Sequence, residues 1–437
     1  MKIIVLGGGH GGLVAARDLA AGGHEVTVYE KRAEAAVGYD WHDDVDKRVF
    51  DDLALPLPPE DTYFKARELS LLAPDSKKWI KIKQTKRNKT YSFERKPLLA
   101  ALYKSAKDAG VKVLFETCAD GLIIDGAAVK GVVMGGEELF ADLVIDSAGL
   151  FSPYRESLPE SFGIVARPGD GDIFYVYKGF YESDENAEKD EVNTNRCYIM
   201  PAGLRGIAWC VQDPPTGYIN VFVGQTGGLT REEIDGILDF LRKDNPCIGE
   251  RLVRGGLTAA IPIRYPASRM VADGYAIVGD AAFMTVPLNG SGMLSSMYAG
   301  SYLAEAVNKS GSSSVAALWA YQAKFMQNVG ARNAAIDVIR RWINTVEPGD
   351  LRFLLEKGII TGKNISDMAE NVIPAVKTEE VIKRFFASGK KNLSLMVDAV
   401  GLLTKIVKTY AVSRMIPQRY SVKKAAAWEK DYNELFS

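Results

Sequence analysis

The sequence predicts an α/β fold with an N-terminal parallel β-α-β unit, a β-rich middle region and a helical C-terminal region. The unit is indicated by a short apolar run over 2–6, apolar side chains at helical spacing over 11–22, and a second strand over 25–30. The middle region, 166–225, contains several β-like stretches separated by turn residues. From about residue 293 onward the apolar side chains recur at helical spacing.

The segments between these regions are assigned from their local patterns. Residues 34–65 are rich in Asp and Pro and are predicted to be irregular, whereas residues 71–91 alternate and are predicted to form antiparallel strands. The remaining predicted elements are helices over 94–110 and 230–243 and strands over 111–116, 142–147, 173–177, 196–200, 206–211, 218–223 and 275–279.

Composition excludes several classes of protein. The chain has 437 residues, 47% of them hydrophobic, which is enough for two or three domains with large cores. Its net charge of −1 argues against a nucleic-acid-binding protein. Four cysteines without a C-x-x-C pair and only three histidines predict neither a disulfide scaffold nor a metal site.

A glycine pattern follows the first predicted strand and begins the first helix. Gly7, Gly9 and Gly12 fit G-x-G-x-x-G, and this structural context makes the pattern specific. Gly7 permits a tight turn, Gly9 lets the backbone approach a pyrophosphate, and Gly12 allows close helix–strand packing. Glu30, at the end of the second strand, can accept hydrogen bonds from a ribose diol and disfavours a 2′-phosphate. The pattern therefore predicts FAD or NAD, rather than NADP, in a Rossmann-like domain.

A second half-site far along the chain decides between these cofactors. A short apolar strand runs into Gly279 and Asp280, and an acidic residue at a strand end can bind a ribityl hydroxyl. The helix that follows can place its amides against a flavin. Its start contains Pro287, Gly290, Gly292 and Met293. Because no second complete glycine fingerprint follows a strand, we predict FAD as the cofactor and no built-in NAD(P)H domain.

These segments resemble the FAD-binding segments of para-hydroxybenzoate-hydroxylase-type flavoproteins, and within that fold the geranylgeranyl reductase family. The resemblance is carried by Gly7–Arg32, Ala141–Gly149 and Pro262–Gly292. It implies that Arg95, at the start of a helix, faces FAD. It also implies hydride transfer from reduced flavin to carbon–carbon double bonds of an isoprenoid. The predicted cofactor-binding residues are Gly7, Gly9, Gly11, Gly12, Glu30, Lys31, Arg32, Arg95, Gly279, Asp280, Pro287, Gly290, Gly292 and Met293.

Two departures from the family leave the substrate open. Members carry Cys-Gly-Asp in the loop after the second strand, whereas Val37–Asp44 contains no cysteine, which excludes a redox thiol there. Members also carry Tyr-x-Trp-x-Phe-Pro in the substrate region, of which Gly206–Gln212 keeps only the tryptophan. The candidate substrate residues are Tyr39, Trp41, Tyr198 and Trp209, each with a plain core role as its alternative.

His42 is the candidate proton donor, because an unperturbed imidazole titrates near neutrality. The alternative for His42 is a surface-loop histidine. The alternative for the whole protein is a flavin-dependent monooxygenase that hydroxylates an aromatic or polyketide substrate, since the fold supports both reactions. Either enzyme needs an external electron donor, for which reduced ferredoxin, flavin and NAD(P)H are the candidates.

The predicted domains follow from these assignments. They are a discontinuous FAD-binding domain over 1–65, 85–165 and 258–330, a β-rich substrate domain over 66–84 and 166–257, and a helical region over 331–437.

The sequence shows neither a signal-peptide pattern nor an apolar run of about 18 residues, so we expect a cytoplasmic protein. Residues 381–437 carry 11 basic and 4 acidic residues. Within them, 392–416 mixes apolar and basic positions. This segment is either a helix that lies on a membrane surface or a helix packed on the protein with a solvated basic face.

Overall fold

The computed structural model describes residues 1–82, 89–184, 186–187, 195–370, 372–374, 376–387 and 393–437. The predicted strand region 71–91 includes 83–88, and the predicted helical segment 392–416 includes residue 392. Residues 83–88 and 392 lie outside the described residues.

The strands are numbered in chain order. They are β1 (Lys2–Leu6), β2 (Glu25–Tyr29), β3 (His42–Asp46), β4 (Tyr63–Lys65), β5 (Leu69–Leu72), β6 (Trp79–Ile82), β7 (Thr90–Glu94), β8 (Lys112–Leu114), β9 (Gly121–Asp125), β10 (Ala128–Met134), β11 (Glu137–Phe140), β12 (Leu143–Asp146), β13 (Ile173–Ser183), β14 (Asn195–Ile199), β15 (Gly206–Gln212), β16 (Ile219–Thr226), β17 (Ile248–Pro262), β18 (Val271–Ala272) and β19 (Tyr275–Ile277).

The α-helices are numbered in the same way. They are α1 (His10–Ala21), α2 (Arg48–Asp52), α3 (Arg95–Asp108), α4 (Pro153–Glu156), α5 (Arg231–Asp244), α6 (Met293–Ser310), α7 (Val315–Phe325), α8 (Ala331–Ile343), α9 (Pro348–Glu356), α10 (Gly362–Ala369), α11 (Thr378–Ala387), α12 (Leu393–Arg414) and α13 (Val422–Glu434). A π-helical turn, Met326–Gly330, joins α7 to α8.

The first sheet has the strand order β18-β19-β12-β1-β2-β8 and is parallel except for the β18–β19 pair. Its central strands β1 and β12 are buried almost throughout, as expected for a parallel sheet covered on both faces. Helices α1, α3, α6 and α7 contribute apolar side chains to the same core, and so does the last helix, α13. The mixed α/β fold with a Rossmann-like N-terminal unit is confirmed.

The second large sheet has the order β17-β13-β16-β15-β14-β5-β6. One face packs on α5, through side chains such as Tyr181 and Val221 against Ile237. The opposite face, called the inner face below, carries Lys178, Trp209 and Phe222. On this face β5 and β14 pack on α9 of the C-terminal region. Helices occupy most of the chain after residue 293, as predicted.

Three stretches differ from the predictions. The prediction that 34–65 is irregular is wrong, because β3 and β4 pair with β7 in a small antiparallel sheet. The strand β3 reads His-Asp-Asp-Val-Asp, and aspartate is depleted in strands. Asp43 and Asp44 are stabilised by partners from distant segments, which sequence pattern alone does not reveal. The sheet of β9, β10 and β11 and the long strand β17 were not predicted.

None of the helices that the structure describes is both long and apolar enough to cross a membrane. The predicted division into three domains stays a prediction.

Candidate active site

The two predicted half-sites lie against each other, although more than two hundred residues separate them in the chain. The glycine loop joins β1 to α1, and Gly7 turns there with φ +91°. A Cβ on Gly11 would lie 2.6 Å from the carbonyl oxygen of Ser296 in α6. A Cβ on Gly300, one turn further along α6, would lie 2.2 Å from the carbonyl oxygen of Gly11. Because Gly11 and Gly300 have no side chains, the backbones of α1 and α6 can pack directly against each other near their N-terminal ends.

The end of β2 faces the same loop. Glu30 accepts a hydrogen bond from the Gly8 amide at 2.9 Å and another from the Arg32 amide at 2.9 Å. These contacts fix a carboxylate beside the glycine loop, where a ribose diol would bind. Lys31 and Arg32 are exposed beside it, and the guanidinium of Arg32 lies 5.6 Å from the centre of the Tyr39 ring.

The second half-site is formed by the turn after β19 and by the start of α6. Gly279 and Gly290 adopt φ of +72° and +70°. Gly292 is the N-cap of α6 and makes no side-chain cap, so the first amides of that helix have no side-chain acceptor there. A Cβ at Gly292 would approach an oxygen of Asp280 to 3.3 Å. Burial raises the pKa of Asp280, and Arg95 opposes that rise. Pro287 and Met293 are both buried beside this turn.

Arg95 connects both half-sites to β3. Its Nη1 lies 3.1 Å from Oδ2 of Asp43, and its guanidinium lies 5.0 Å from the centre of the Tyr39 ring. Burial lowers the pKa of His10, in the glycine loop, to about 3, and the charge of Arg95 contributes to this shift. Nε2 of His10 is buried and makes no hydrogen bond within the described residues. His10 is therefore neutral near pH 7.

These features fit FAD. Two helix N-termini without side-chain caps, at Gly9 and Gly292, can bind a pyrophosphate and the electron-rich edge of a flavin. A carboxylate lies at the position for the ribose, and the buried Nε2 of His10, the first residue of α1, is a polar atom without a hydrogen bond within the described residues. Glu30, the amides of the glycine loop, Asp280 and the start of α6 would hold the cofactor.

The sequence reasoning missed Lys178, a buried residue of β13. Its Nζ donates to the carbonyl of His42, lies 3.8 Å from Oδ1 of Asp43, and lies 5.9 Å from the Trp41 ring centre. Burial lowers the pKa of Lys178. Burial alone would raise the pKa of Asp43, but Arg95 and Lys178 outweigh it and hold that pKa below its usual value. The sequence did contain a signal for this role, namely one lysine within the apolar run of β13. A charge buried in such a strand requires a partner, so the lysine pointed to a polar site.

The four candidate substrate aromatics do not form one wall. Tyr39 and Trp41 stack with ring centres 4.4 Å apart, and the Trp41 indole donates to Asp43 at 3.0 Å. Trp209 stacks on Phe222 at 3.6 Å on the inner face. Tyr198 pairs with Ala208, next to Trp209, and therefore points to the opposite face, where it contacts Phe240 of α5. Its hydroxyl donates to Asp244 at 2.8 Å.

His42 is not on a surface loop. It begins β3, is buried, and places its ring edge-on to Phe64 and Phe180, with ring centres 5.1 Å and 5.2 Å away. Burial, together with the charges of Lys178 and Arg254, holds the pKa of His42 well below its usual value. Because strand side chains alternate, His42 points toward the seven-stranded sheet, whereas Asp43 points toward Arg95.

Comparison with known proteins identifies the family. Residues 54–306 match the family model described as FAD dependent oxidoreductase, and residues 5–59 match a Rossmann-like NAD(P)-binding domain. The chain belongs to the FAD-dependent oxidoreductase family. FAD is therefore its cofactor, and the prediction of a flavoprotein oxidoreductase is confirmed.

Relatives with curated names extend over nearly the whole chain. A digeranylgeranylglycerophospholipid reductase of Sulfolobus acidocaldarius is 26% identical over 93% of this chain and 91% of its own length. A protein of the same name from Methanothrix thermoacetophila is 28% identical over 84% of this chain and 93% of its own length. They confirm the predicted resemblance to geranylgeranyl reductases.

Among solved structures, a geranylgeranyl bacteriochlorophyll reductase-like protein from Thermoplasma acidophilum has a TM-score of 0.72 at 19% identity. That match covers 91% of this chain and 98% of the Thermoplasma chain. A flavin-dependent brominase has a TM-score of 0.65 at 15% identity, and the match covers 93% of this chain and 100% of the brominase. These likenesses show the fold of this FAD-dependent oxidoreductase.

Proposed function

We propose that this protein reduces carbon–carbon double bonds of a hydrophobic isoprenoid lipid. The observation that carries the proposal is the match, over more than nine-tenths of both chains, to a relative named as a reductase of a digeranylgeranyl lipid. Bound FAD supplies the hydride in such a reaction. An external donor returns the electrons, because the chain lacks a second glycine fingerprint for a nicotinamide cofactor. Reduced ferredoxin, free reduced flavin and NAD(P)H are the donor classes to test.

The inner face supports an apolar substrate. Trp209 and Phe222 stack there in parallel, and Lys178 lies directly opposite Phe222 in the strand register. Toward the C-terminal region this surface ends where the apolar side chains of β5 and β14 pack on α9. Such a surface would hold an isoprenoid chain and exclude water from the reacting double bond.

A double-bond reduction also requires a proton on the second carbon. Burial lowers the pKa of Lys178, so its ammonium group releases a proton more readily than that of an exposed lysine. His42, the donor predicted from the sequence, is neutral near pH 7 because burial lowers its pKa. We therefore assign the proton to Lys178, with Asp43 and the His42 carbonyl orienting its ammonium group.

The test uses anaerobically reduced, FAD-loaded protein mixed with geranylgeranyl lipids. The flavin absorbance reports oxidation, and mass spectrometry of the lipid reports the product. Reoxidation with a gain of two hydrogens per double bond is the expected result. If no lipid reoxidises the flavin, and oxygen is instead inserted into an aromatic compound, the proposal is wrong and the monooxygenase alternative stands.

We also propose that α12 binds the surface of an anionic membrane. Leu393, Val397, Val407 and Met415 are each at least 60% exposed along one side of α12 and just beyond its end. Basic residues accompany them at Lys405, Lys408 and Arg414. The opposite side of α12 is buried through residues such as Ile406. Exposed apolar side chains with interspersed cations are typical of a helix lying in an anionic lipid interface.

Vesicle sedimentation tests this contact. The protein should sediment with vesicles containing anionic phosphatidylglycerol and much less with neutral phosphatidylcholine. The double variant Val397→Asp/Val407→Asp should lose most of this binding, because charged side chains do not enter the lipid interface. Phe140→Asp is the matched control, since Phe140 is equally exposed but lies on β11. Equal loss of binding in the control and the double variant would contradict the assignment to α12.

A further inference from the structure

A cluster of polar side chains lies between the β3-β7-β4 sheet and the inner face of the seven-stranded sheet. Four of its atoms are buried and make no hydrogen bond within the described residues. These atoms are His42 Nε2, Asp213 Oδ1, Asn220 Oδ1 and Arg254 Nε. His42, Asp213 and Asn220 are only 5%, 2% and 3% exposed. Buried polar atoms are nearly always paired, so four unpaired atoms in one place indicate a built binding site.

The ring of Phe180 lies at the centre of this cluster. Phe180 pairs with Asn220 on one side and with Arg254 on the other, which places all three side chains on the inner face. The guanidinium of Arg254 lies 4.0 Å from the Phe180 ring centre, and the His42 ring lies 5.2 Å from it. Nε2 of His42 and Oδ1 of Asp213 are 3.9 Å apart, which is too long for a direct hydrogen bond.

Local backbone structure holds these side chains in place. Gly255 and Gly256 adopt φ of +74° and +72° and form a bulge in β17 directly after Arg254. A bulge of this kind re-aims the neighbouring side chain. The two terminal nitrogens of Arg254 donate to Glu94 at 2.8 Å and 2.6 Å, so its Nε stays directed into the cluster. The other oxygen of Asp213 accepts from Thr216 at 2.6 Å.

The charges of the cluster select a neutral ligand. An anion at this place would meet the carboxylate of Asp213, and a cation would meet Arg254 and Lys178. A hydroxyl group has one donor and two acceptor sites. It can donate to Asp213 and accept from Arg254 Nε. We propose that this cluster binds a hydroxyl group of the substrate, and thus that the substrate is an isoprenoid alcohol or a lipid with a free hydroxyl.

This inference rests on the proposed function for the isoprenoid part of the substrate, and its test separates the two. Calorimetric titration of oxidised, FAD-loaded protein compares farnesol with farnesyl methyl ether, and 1-octanol with its methyl ether. Each alcohol should bind about tenfold or more tightly than its ether, which cannot donate to Asp213. Asp213→Leu, which leaves no acceptor for the hydroxyl group, should remove most of this preference. Tyr181→Phe is the control, because it removes a hydroxyl from the opposite face of β13.

Equal binding of alcohol and ether by the unaltered protein would overturn the inference, as would failure of all four compounds to bind. A preference in the octanol pair, without flavin reoxidation by any isoprenoid, would support the hydroxyl site and contradict the proposed function. Thermal unfolding provides a second readout. Asn220→Leu should keep or raise the Tm, because it removes an unpaired buried amide oxygen. A clearly lower Tm would show that Asn220 is satisfied within the fold and would overturn the inference.

Discussion

Replacement of Gly300 by alanine tests whether the contact between α1 and α6 builds the FAD site. Gly300 is buried in α6, and a Cβ there would lie 2.2 Å from the carbonyl oxygen of Gly11. Real Cβ atoms essentially never approach another atom within 3.0 Å, so the helices must separate by roughly 0.8 Å. Both partners of this contact are backbone, so no side-chain rotation relieves it. Overpacking of this kind costs about 1–3 kcal/mol.

The separation should weaken FAD binding, because the N-terminal ends of both helices face the cofactor. If about half of this strain is confined to the FAD-bound state, the FAD affinity falls roughly two- to tenfold, since about 1.4 kcal/mol corresponds to a factor of ten. Fluorescence titration with FAD measures the Kd, and thermal unfolding with and without FAD measures stability. We expect a higher Kd together with a lower Tm of the FAD-loaded protein.

The matched control is Gly236→Ala in α5, where a Cβ meets no atom within 4 Å. It should leave FAD binding unchanged and raise the free energy of unfolding by roughly 0.5–1 kcal/mol, because Gly236 is an exposed position within a helix. Unchanged FAD affinity and Tm in Gly300→Ala would refute the reasoning, because they would show that α1 and α6 adjust without consequence for the cofactor.

Two further predictions concern buried titratable groups. Because the folded-state pKa of His10 is lowered to about 3, its contribution to stability is present above pH 6.5 and is lost as the pH falls toward 3. In urea unfolding of the FAD-free protein, the free energy of unfolding should therefore fall by about 2 kcal/mol between pH 7 and pH 5 through His10, and His10→Asn should show a smaller fall. An identical loss in both proteins would contradict the burial of His10. Lys178→Met should lower the Tm, because it leaves the buried Asp43 with one cationic partner fewer and the His42 carbonyl without this donor. It should slow lipid-driven flavin reoxidation at least about tenfold; an unchanged rate would rule out Lys178 as the proton source.

The cofactor site is the part of the molecule that local sequence predicted best. A glycine pattern, a strand before it and a helix after it form one short continuous segment, so their geometry depends on neighbouring residues alone. The acidic residue at the end of β2 and the strand–turn–helix around Asp280 are also local. Hydrophobic periodicity predicted α5 and most strands of the seven-stranded sheet for the same reason.

Local pattern failed where long-range partners stabilise a segment. The strand β3 contains three aspartates, and its structure depends on Arg95, Lys178 and Ser92 from three other segments. Tyr198 and Trp209 both lie on predicted strands, yet the register of β14 with β15 places them on opposite faces.

The sequence alone determined the Rossmann-like unit, the FAD cofactor and the resemblance to geranylgeranyl reductases. Each of these depends on short motifs whose residues are neighbours in the chain. Only the tertiary structure decided which distant side chains meet. It packed α1 against α6, placed Lys178 between Trp41 and Asp43, and gathered four unpaired polar atoms around Phe180. Several of these contacts join residues more than a hundred positions apart. They arise from strand register and helix packing, which residue order alone does not specify.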